Sequence, residues 1–198
     1  MDVKTIGVIG ASRLGCEIAC AAAASGYRTI LEDVSLHRLE DGDASIRQIL
    51  DAAVASEKMT PDQRTAALAK LATARSVEGV CREADLLIEA VAEEMEMQLE
   101  IFTLFDKFAK PGAIMAGTAP SVSIADLAAI TFRPENCVGL RFFQPVAETK
   151  RFEIVCGPET SQATVRACLE LGRRMEKETV VVQEPVGAST EAKGSFSR

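Results

Sequence analysis

Short apolar runs alternate with amphipathic stretches along most of this chain. The apolar runs predict seven strands, at residues 5–9, 28–31, 85–90, 113–116, 138–142, 152–156 and 179–182. Apolar residues at helical spacing predict five helices, at residues 14–25, 36–56, 61–71, 95–108 and 163–175. Strands that alternate with helices are typical of βα units with parallel strands. We therefore predict a single α/β domain, a doubly wound and mostly parallel sheet with helices on both faces.

The polarity of the chain changes near its end, where the strand pattern stops. After residue 186 the sequence GASTEAKGSFSR is small and polar, which predicts a flexible polar tail over residues 187–198. Residues 1–186 show no internal repeat and no linker-like composition, so we expect them to form one domain.

The charge and cysteine content of the chain limit which kinds of partner and metal site we expect. The 22 basic and 29 acidic residues give a net charge of −7, and no cluster of four or more basic residues occurs. This predicts no nucleic-acid partner and no membrane partner, and no apolar run reaches the ~20 residues of a membrane-spanning helix. The six cysteines include no CxxC pair, which favours buried thiols in a reducing compartment over a metal or redox site. We expect a cytoplasmic protein without a metal ion.

The clearest chemical motif lies where the first predicted strand runs into the first helix. The segment GASRLG, residues 10–15, has the strand–turn–helix context of a dinucleotide-binding fingerprint, in which a helix N-terminus faces a pyrophosphate. Its candidate cofactor-binding residues are Gly10, Ser12, Arg13, Leu14 and Gly15. Ser12 occupies the position of the second glycine, whose missing side chain normally lets the backbone approach the phosphates.

An acidic residue completes this motif. Asp33 follows Gly15 by 18 residues, at the end of the second predicted strand. A carboxylate there accepts hydrogen bonds from the adenosine ribose and disfavours a 2′-phosphate. The sequence therefore predicts a Rossmann-type dinucleotide-binding domain over residues 1–186, with NAD rather than NADP as its cofactor. The alternative is an α/β turn that binds no nucleotide.

Six segments resemble the NAD-binding N-terminal domain of the 3-hydroxyacyl-CoA dehydrogenases. They are VIGASRLG (8–15), LEDV (31–34), LLIEAVAEE (86–94), SVSI (121–124), RPENCVGLRFFQPV (133–146) and RFEIV (151–155). The string GLRFFQPV is the most specific, since the family has Gly-Leu/Met-His-Phe-Phe-Asn-Pro-Val at this place. The resemblance covers residues 3–186 and implies a role in fatty-acid or acyl-thioester metabolism.

The resemblance implies a changed catalytic centre. The family's histidine, which takes the hydroxyl proton while hydride passes to NAD, corresponds to Arg141. A guanidinium stays protonated at any working pH and cannot act as a general base. Losing such a base typically removes ~10²- to 10⁴-fold in rate. The glutamate that orients the histidine corresponds to Glu153, so we expect an ion pair between Arg141 and Glu153 in place of the family's dyad.

Other family positions differ as well. Pro120 replaces a serine that binds the substrate oxygen, and Thr118 replaces an asparagine. Near the cofactor, the resemblance implies contacts from Glu93, which matches the family, from Gln98, which replaces a lysine, and from Gln144, which replaces an asparagine. The cofactor positions are thus retained better than the chemical centre.

The resemblance also bears on the acyl substrate. The family's serine and lysine that contact the CoA phosphates correspond to Ile49 and Ser56, with only Lys58 nearby. The family continues into a helical domain that forms the other wall of the acyl cleft, whereas this sequence becomes polar after residue 186. We expect a homodimer or a partner chain to supply that wall.

Three hypotheses for the function remain open at this point. The first is an NAD(H)-binding protein whose standard hydride-transfer activity is weak or absent. The second is a divergent NAD-dependent 3-hydroxyacyl dehydrogenase, in which Arg141 binds a carboxylate or a thioester oxygen and another chain completes the cleft. The third is a non-catalytic interaction scaffold with a vestigial nucleotide site.

Overall fold

A computed structural model describes residues 2–91, 95–120 and 122–184, which form an eight-stranded sheet covered by helices. The strands are β1 (Thr5–Ile9), β2 (Arg28–Glu32), β3 (Leu71–Ala74), β4 (Leu86–Glu89), β5 (Ile114–Gly117), β6 (Cys137–Phe142), β7 (Arg151–Cys156) and β8 (Glu178–Gln183). The helices are α1 (Arg13–Ala24), α2 (Leu36–Ala55), α3 (Pro61–Lys70), α4 (Val77–Glu83), α5 (Met95–Phe108), α6 (Ile124–Ala129) and α7 (Gln162–Arg174).

The sheet has the strand order β3-β2-β1-β4-β5-β6-β7-β8. All neighbouring strands run parallel except β6 and β7, which pair antiparallel. The chain builds outward from β1 to β3 and then returns to place β4 on the other side of β1. This confirms the predicted doubly wound, mostly parallel sheet, and it puts the reversal of strand order between β1 and β4.

Helices cover both faces of the sheet, and each face buries its own apolar cluster. α1, α2, α3 and α7 pack on one face, where the side chains of Val8 and Ile88 are fully buried. α4, α5 and α6 pack on the other face, against Ile9 and Leu87. Because successive strand residues point to opposite faces, a strand covered on both sides is apolar throughout. This is why the central strands stand out in the sequence as continuous runs.

Hydroxyl side chains fix where most of the described helices begin. The N–H of the third helical residue donates to a serine or threonine hydroxyl, contributed by Ser12, Ser35, Thr60, Ser76, Ser123 and Ser161. Such a cap typically contributes about 1 kcal/mol. The local sequence therefore sets the starts of the helices that follow the strand ends.

The structure contains all twelve predicted elements, and each end lies within one residue of its prediction. The sequence pattern does not predict β3, α4 or α6. β3 follows α3 without a turn and is half exposed at the edge of the sheet, so it shows no apolar run. α4 and α6 have seven and six residues, too few for a helical period to stand out. The predicted tail over 187–198 lies outside the described residues and stays a prediction.

The described residues were compared with what a membrane span or a metal site requires. None of the described helices is long and apolar enough to cross a membrane. Within the same part of the chain, no group of three or more His, Cys, Asp or Glu side chains is placed to hold a metal ion.

All six cysteines are buried, and burial raises the pKa of the Cys16 thiol to about 11 and that of Cys168 to about 12. These thiols stay protonated and pack as small apolar side chains.

Candidate functional site

The ends of the parallel strands meet at one edge of the sheet. Gly10 follows β1, Asp33 follows β2, Ala90 follows β4 and Thr118 follows β5, while Phe142 ends β6. In open α/β sheets the ligand crevice lies outside these carboxyl ends, where the strand order reverses. Most of the site residues predicted from the sequence are therefore gathered at this edge by the fold.

The turn after β1 is held tightly against the start of α1. Gly10 has φ +106°, a left-handed conformation that favours glycine, and its N–H donates to the carbonyl oxygen of Glu32 at 2.8 Å. A Cβ atom at Gly15 would lie 2.0 Å from the carbonyl oxygen of Gly10. Only a glycine at position 15 lets the helix begin so close to the strand. The two outer glycines of the motif are thus required by backbone geometry.

Ser12 is bound within the fold and leaves the helix terminus open. Its Oγ donates to the carbonyl oxygen of Ala90 at 2.7 Å and accepts the N–H of Gly15 at 3.1 Å. The N–H groups of Arg13 and Leu14 belong to the first turn of α1, where helix geometry provides no partner for them. The serine in place of the second glycine therefore caps α1, and two backbone donors remain for an anion.

Asp33 connects the end of β2 to this turn. Its buried carboxylate accepts the N–H of Ala11 at 3.1 Å through Oδ2 and the N–H of Ser35 at 2.9 Å through Oδ1. Nη1 of Arg38 lies 3.9 Å from Oδ2. The carboxylate predicted from the sequence therefore stands beside the glycine turn, as a ribose acceptor requires.

A second buried carboxylate, Glu32, lies next to Asp33 and was not predicted as a site residue. Its Oε1 has no hydrogen-bond partner among the described residues. Burial, and to a smaller extent the charge of Asp33, raises the pKa of Glu32 to about 7. In the sequence Glu32 ends an apolar run and resembles an exposed strand terminus. Only packing of the face formed by α4, α5 and α6 shows that it is buried.

Gln98 lies on α5 and is fully buried. Neither Oε1 nor Nε2 of its amide has a hydrogen-bond partner in the described part of the chain. Buried polar groups nearly always have partners, so such an amide marks a place where a further polar group is needed. Glu93, the other predicted residue near it in sequence, lies outside the described residues.

A cavity of about 410 Å³ lies at the end of β6. Its walls are formed by Thr118, Pro120, Arg141, Phe142, Phe143, Arg151 and Glu153. Arg141 and Glu153 are direct partners in the antiparallel pairing of β6 with β7, and Nη1 of Arg141 lies 3.8 Å from Oε2 of Glu153. The structure thus brings together the two residues that the sequence places at the chemical centre.

A second arginine, which the sequence analysis missed, binds this glutamate more closely. Arg151 donates to Oε1 of Glu153 from Nε at 2.9 Å and also from Nη2. Its guanidinium carbon lies 5.0 Å from the ring centroid of Phe143. Arg151 and Glu153 are two positions apart on one strand and therefore share a face, which is a signal that the sequence does contain.

Gln144 forms a hydrogen bond with a carboxylate on α1. Its Nε2 donates to Oε1 of Glu17 on α1 at 3.1 Å. Glu17 is buried and also accepts the N–H of Val146 at 2.7 Å and Nε of Arg13 at 3.1 Å. Glu17, which the sequence analysis did not single out, therefore fixes the segment after β6 against α1.

A wider cleft of about 520 Å³ lies between α1, α2 and the segment after β6. Ile49 and Ser56, which the resemblance aligns with the family's contacts to the CoA phosphates, are among its lining residues. Lys58 and Arg174 line it as well, and Nζ of Lys58 lies 3.8 Å from Oε1 of Glu148. The wall of this cleft therefore contains basic side chains.

Comparisons with known proteins point to one family. The family model described as "3-hydroxyacyl-CoA dehydrogenase, NAD binding domain" matches residues 5–185. The chain is 35% identical over 182 residues to the 3-hydroxybutyryl-CoA dehydrogenase of Bradyrhizobium diazoefficiens, with 92% of this chain and 62% of that protein covered. It is 30% identical over 190 residues to human mitochondrial hydroxyacyl-coenzyme A dehydrogenase, with 93% and 60% covered.

The fold agrees with this assignment. The crystal structure of (S)-3-hydroxybutyryl-CoA dehydrogenase from Ralstonia eutropha matches with a TM-score of 0.89 at 29% identity, covering 93% of this chain and 65% of that one. The chain thus spans less than two thirds of the length of these relatives. Since the family model covers nearly all of the described residues, the chain belongs to the 3-hydroxyacyl-CoA dehydrogenase family and matches its NAD-binding domain.

Proposed function

We propose that this domain binds NAD(H) at the turn after β1 while the family's hydride-transfer centre is altered, so that standard activity is weak or absent. The observation that carries the proposal is the ion pair of Arg141 with Glu153 at the chemical centre. The N–H groups of Arg13 and Leu14 would hold the pyrophosphate, and Asp33 would accept hydrogen bonds from the adenosine ribose.

The residues present fit this cofactor. Ser12 is tied to Ala90 and leaves the start of α1 open, and Gly10 and Gly15 keep the turn compact. The unpartnered amide of Gln98 supports a role beside the cofactor. Gln144 binds Glu17 on α1, so its role near the cofactor, like that of Glu93, remains a prediction.

Among the described residues of the cavity wall, none is placed to take the substrate proton. Bound NAD supplies a hydride acceptor, and alcohol oxidation also needs a base for the hydroxyl proton. The guanidinium of Arg141 stays protonated. Glu153 accepts both bonds from Arg151 through Oε1, and its Oε2 is the atom nearest Arg141. The remaining hydroxyl in the cavity wall, that of Thr118, is not a general base at neutral pH.

Thermal melting with and without nucleotide tests cofactor binding. At one hundred times its dissociation constant, NAD or NADH should add ~2.7 kcal/mol to the stability of the folded state. This corresponds to a rise in melting temperature of roughly 5–10 °C for a domain of this size. An unchanged melting temperature at millimolar NAD and NADH would reject the nucleotide site.

An assay of NADH formation on 3-hydroxyacyl thioesters tests the altered centre separately. We expect little or no turnover by the wild-type domain and a higher rate for Arg141→His, because the imidazole restores a base worth ~10²- to 10⁴-fold. The matched control is Arg28→His, since Arg28 pairs with Glu83 on the surface. Rapid turnover by the wild type would contradict the proposal.

Replacing Asp33 with asparagine should shift the cofactor preference toward NADP. The substitution removes the repulsion between the carboxylate and a 2′-phosphate, and Arg38 is close enough to pair with that phosphate. We expect the ratio of the dissociation constants for NAD and NADP to change by about tenfold or more, or about 1.4 kcal/mol. Titration calorimetry measures both constants. Asp41→Asn on α2, whose carboxylate is exposed beside His37, should leave the ratio unchanged.

The assembly and location of the protein belong to the same proposal. The resemblance implies an acyl-thioester substrate and an acyl cleft whose second wall is supplied by a homodimer or a partner chain. The composition implies a cytoplasmic location. All three remain predictions. The relatives extend beyond the region matched here, since this chain covers 62% of the first and 60% of the human protein.

A further inference from the structure

We propose that the cavity at the end of β6 binds the carboxylate group of a small organic acid, with Arg141 as its anion-binding residue. The proposal names a substrate class for the site described above, and in that respect it rests on the proposed function. Binding of the acid itself needs neither NAD nor turnover.

The described charged side chains of the cavity wall carry a net positive charge, because two arginines share one carboxylate. Two guanidiniums, those of Arg141 and Arg151, and one carboxylate, that of Glu153, form its charged lining. Glu153 is only 6% exposed, so its charge is directed at the arginines rather than at solvent. One carboxylate neutralises one guanidinium. The cavity therefore favours a ligand with a single negative charge.

Glu153 binds Arg151 more closely than it binds Arg141. Arg151 makes both hydrogen bonds to Oε1 and stacks on Phe143. Nη1 of Arg141 lies 3.8 Å from Oε2, beyond hydrogen-bond distance, and the guanidinium donates no hydrogen bond to any of residues 2–91, 95–120 and 122–184. Its side chain is 39% exposed, so a ligand can reach it. A guanidinium with unoccupied donors in a cavity wall is suited to a planar carboxylate, which it binds through two parallel bonds.

The rest of the lining fits the body of a small acid. Pro120, Phe142 and Phe143 provide apolar surface. Thr118 is buried, and its hydroxyl makes no hydrogen bond within the described residues, so it is available to a hydroxyl or oxo group of the ligand. A volume of about 410 Å³ lies near the lower end of small-molecule sites. These features favour a hydroxy- or oxo-carboxylic acid over a bulky polyanion.

Calorimetric titration of the nucleotide-free protein tests the proposal with three probes: 3-hydroxybutyrate, its neutral analogue 3-hydroxybutyramide, and inorganic phosphate. We expect 3-hydroxybutyrate to bind at least tenfold more tightly than the amide, because only the acid carries a negative charge that can pair with the guanidinium of Arg141. Equal binding of acid and amide would overturn the proposal. Phosphate that binds as tightly as the acid would overturn the assignment to a carboxylate.

Variants locate the charge. Arg141→Gln should weaken 3-hydroxybutyrate binding at least tenfold. Arg141→Lys should bind 3-hydroxybutyrate with an affinity between those of Arg141→Gln and the wild type, since lysine keeps the charge but not the planar, two-pronged geometry of the guanidinium. Arg28→Gln, a change in a surface ion pair, should bind as the wild type does. Wild-type affinity in Arg141→Gln would overturn the proposal. The comparison of acid and amide uses the unchanged protein and does not depend on how the variants fold.

The two proposals fail in different ways. If NAD raises the melting temperature but the acid and the amide bind equally well, the nucleotide site is supported and the carboxylate site is refuted. If the acid binds through Arg141 but neither NAD nor NADH changes the melting temperature, the carboxylate site is supported and the proposed function is refuted.

Discussion

The Gly15→Ala variant should melt roughly 2–12 °C below the wild type and should no longer be stabilised by NAD. The added Cβ would lie 2.0 Å from the carbonyl oxygen of Gly10, a backbone atom that cannot move aside as a flexible side chain can. Either α1 shifts away from the end of β1 or the turn opens. Overpacking of this kind costs about 1–3 kcal/mol, which gives the expected fall in melting temperature. The same shift displaces the N–H groups that face the pyrophosphate.

Gly79→Ala is a closely matched control. Gly79 is also the third residue of its helix, and its N–H also donates to an N-cap serine, Ser76, at 3.2 Å. The nearest atoms to a Cβ there are 3.6 Å away, which is ordinary contact. Since alanine is favoured over glycine within helices, Gly79→Ala should be stable and should keep its response to NAD. Equal melting temperatures for the two variants would contradict the close approach of α1 to β1.

Replacing Glu32 with glutamine should stabilise the domain above pH 7. Burial raises the pKa of Glu32 from 4.5 to about 7, so the folded domain holds a proton that the unfolded chain releases. The stabilisation that this bound proton gives the folded domain is therefore complete below pH 4.5 and is lost as the pH rises through 7. At 1.36 kcal/mol per unit, the loss by pH 8 is about 3 kcal/mol. Glutamine has no proton to lose, so thermal melting at pH 8 should show a rise of roughly 5–10 °C over the wild type.

The pH dependence separates this effect from a general change in packing. At pH 5 the wild-type carboxyl is largely protonated in the fold, so the two proteins should melt at similar temperatures. Glu40→Gln, a change at an exposed position on α2, should match the wild type at both pH values. A difference between Glu32→Gln and the wild type that is the same at pH 5 and pH 8 would show that titration of Glu32 is not its cause.

The two halves of the candidate site have diverged to different degrees from the family pattern. The adenosine side keeps its glycine turn and the carboxylate of Asp33, each held by short backbone hydrogen bonds. On the catalytic side, the resemblance aligns the family's histidine with Arg141, a permanent cation. A cation beside Glu153 and Arg151 gives the cavity wall a net positive charge. Both proposals, a weak or absent standard reaction and a preference for a carboxylate, rest on this one position.

The sequence determined the order of strands and helices and the first turn. These features depend on local signals: apolar period, hydroxyl caps such as Ser12, and the spacing of Gly10 and Gly15. β3 is not predicted because it is a four-residue, half-exposed edge strand, too short for an apolar run to stand out. Asp33 lies beside the glycine turn, as the sequence spacing predicts, because its distance from that turn is set by one helix and one strand.

Only the tertiary structure decided which side chains share a partner. Gln144 and Glu17 lie 127 residues apart in sequence yet form a hydrogen bond, and Arg151 binds Glu153 more closely than Arg141 does. The burial of Glu32 likewise depends on how α4 and α5 pack over the sheet. Contacts of this kind follow from strand register and helix packing, whose free energies are summed over the whole domain and leave no mark at any single position in the sequence.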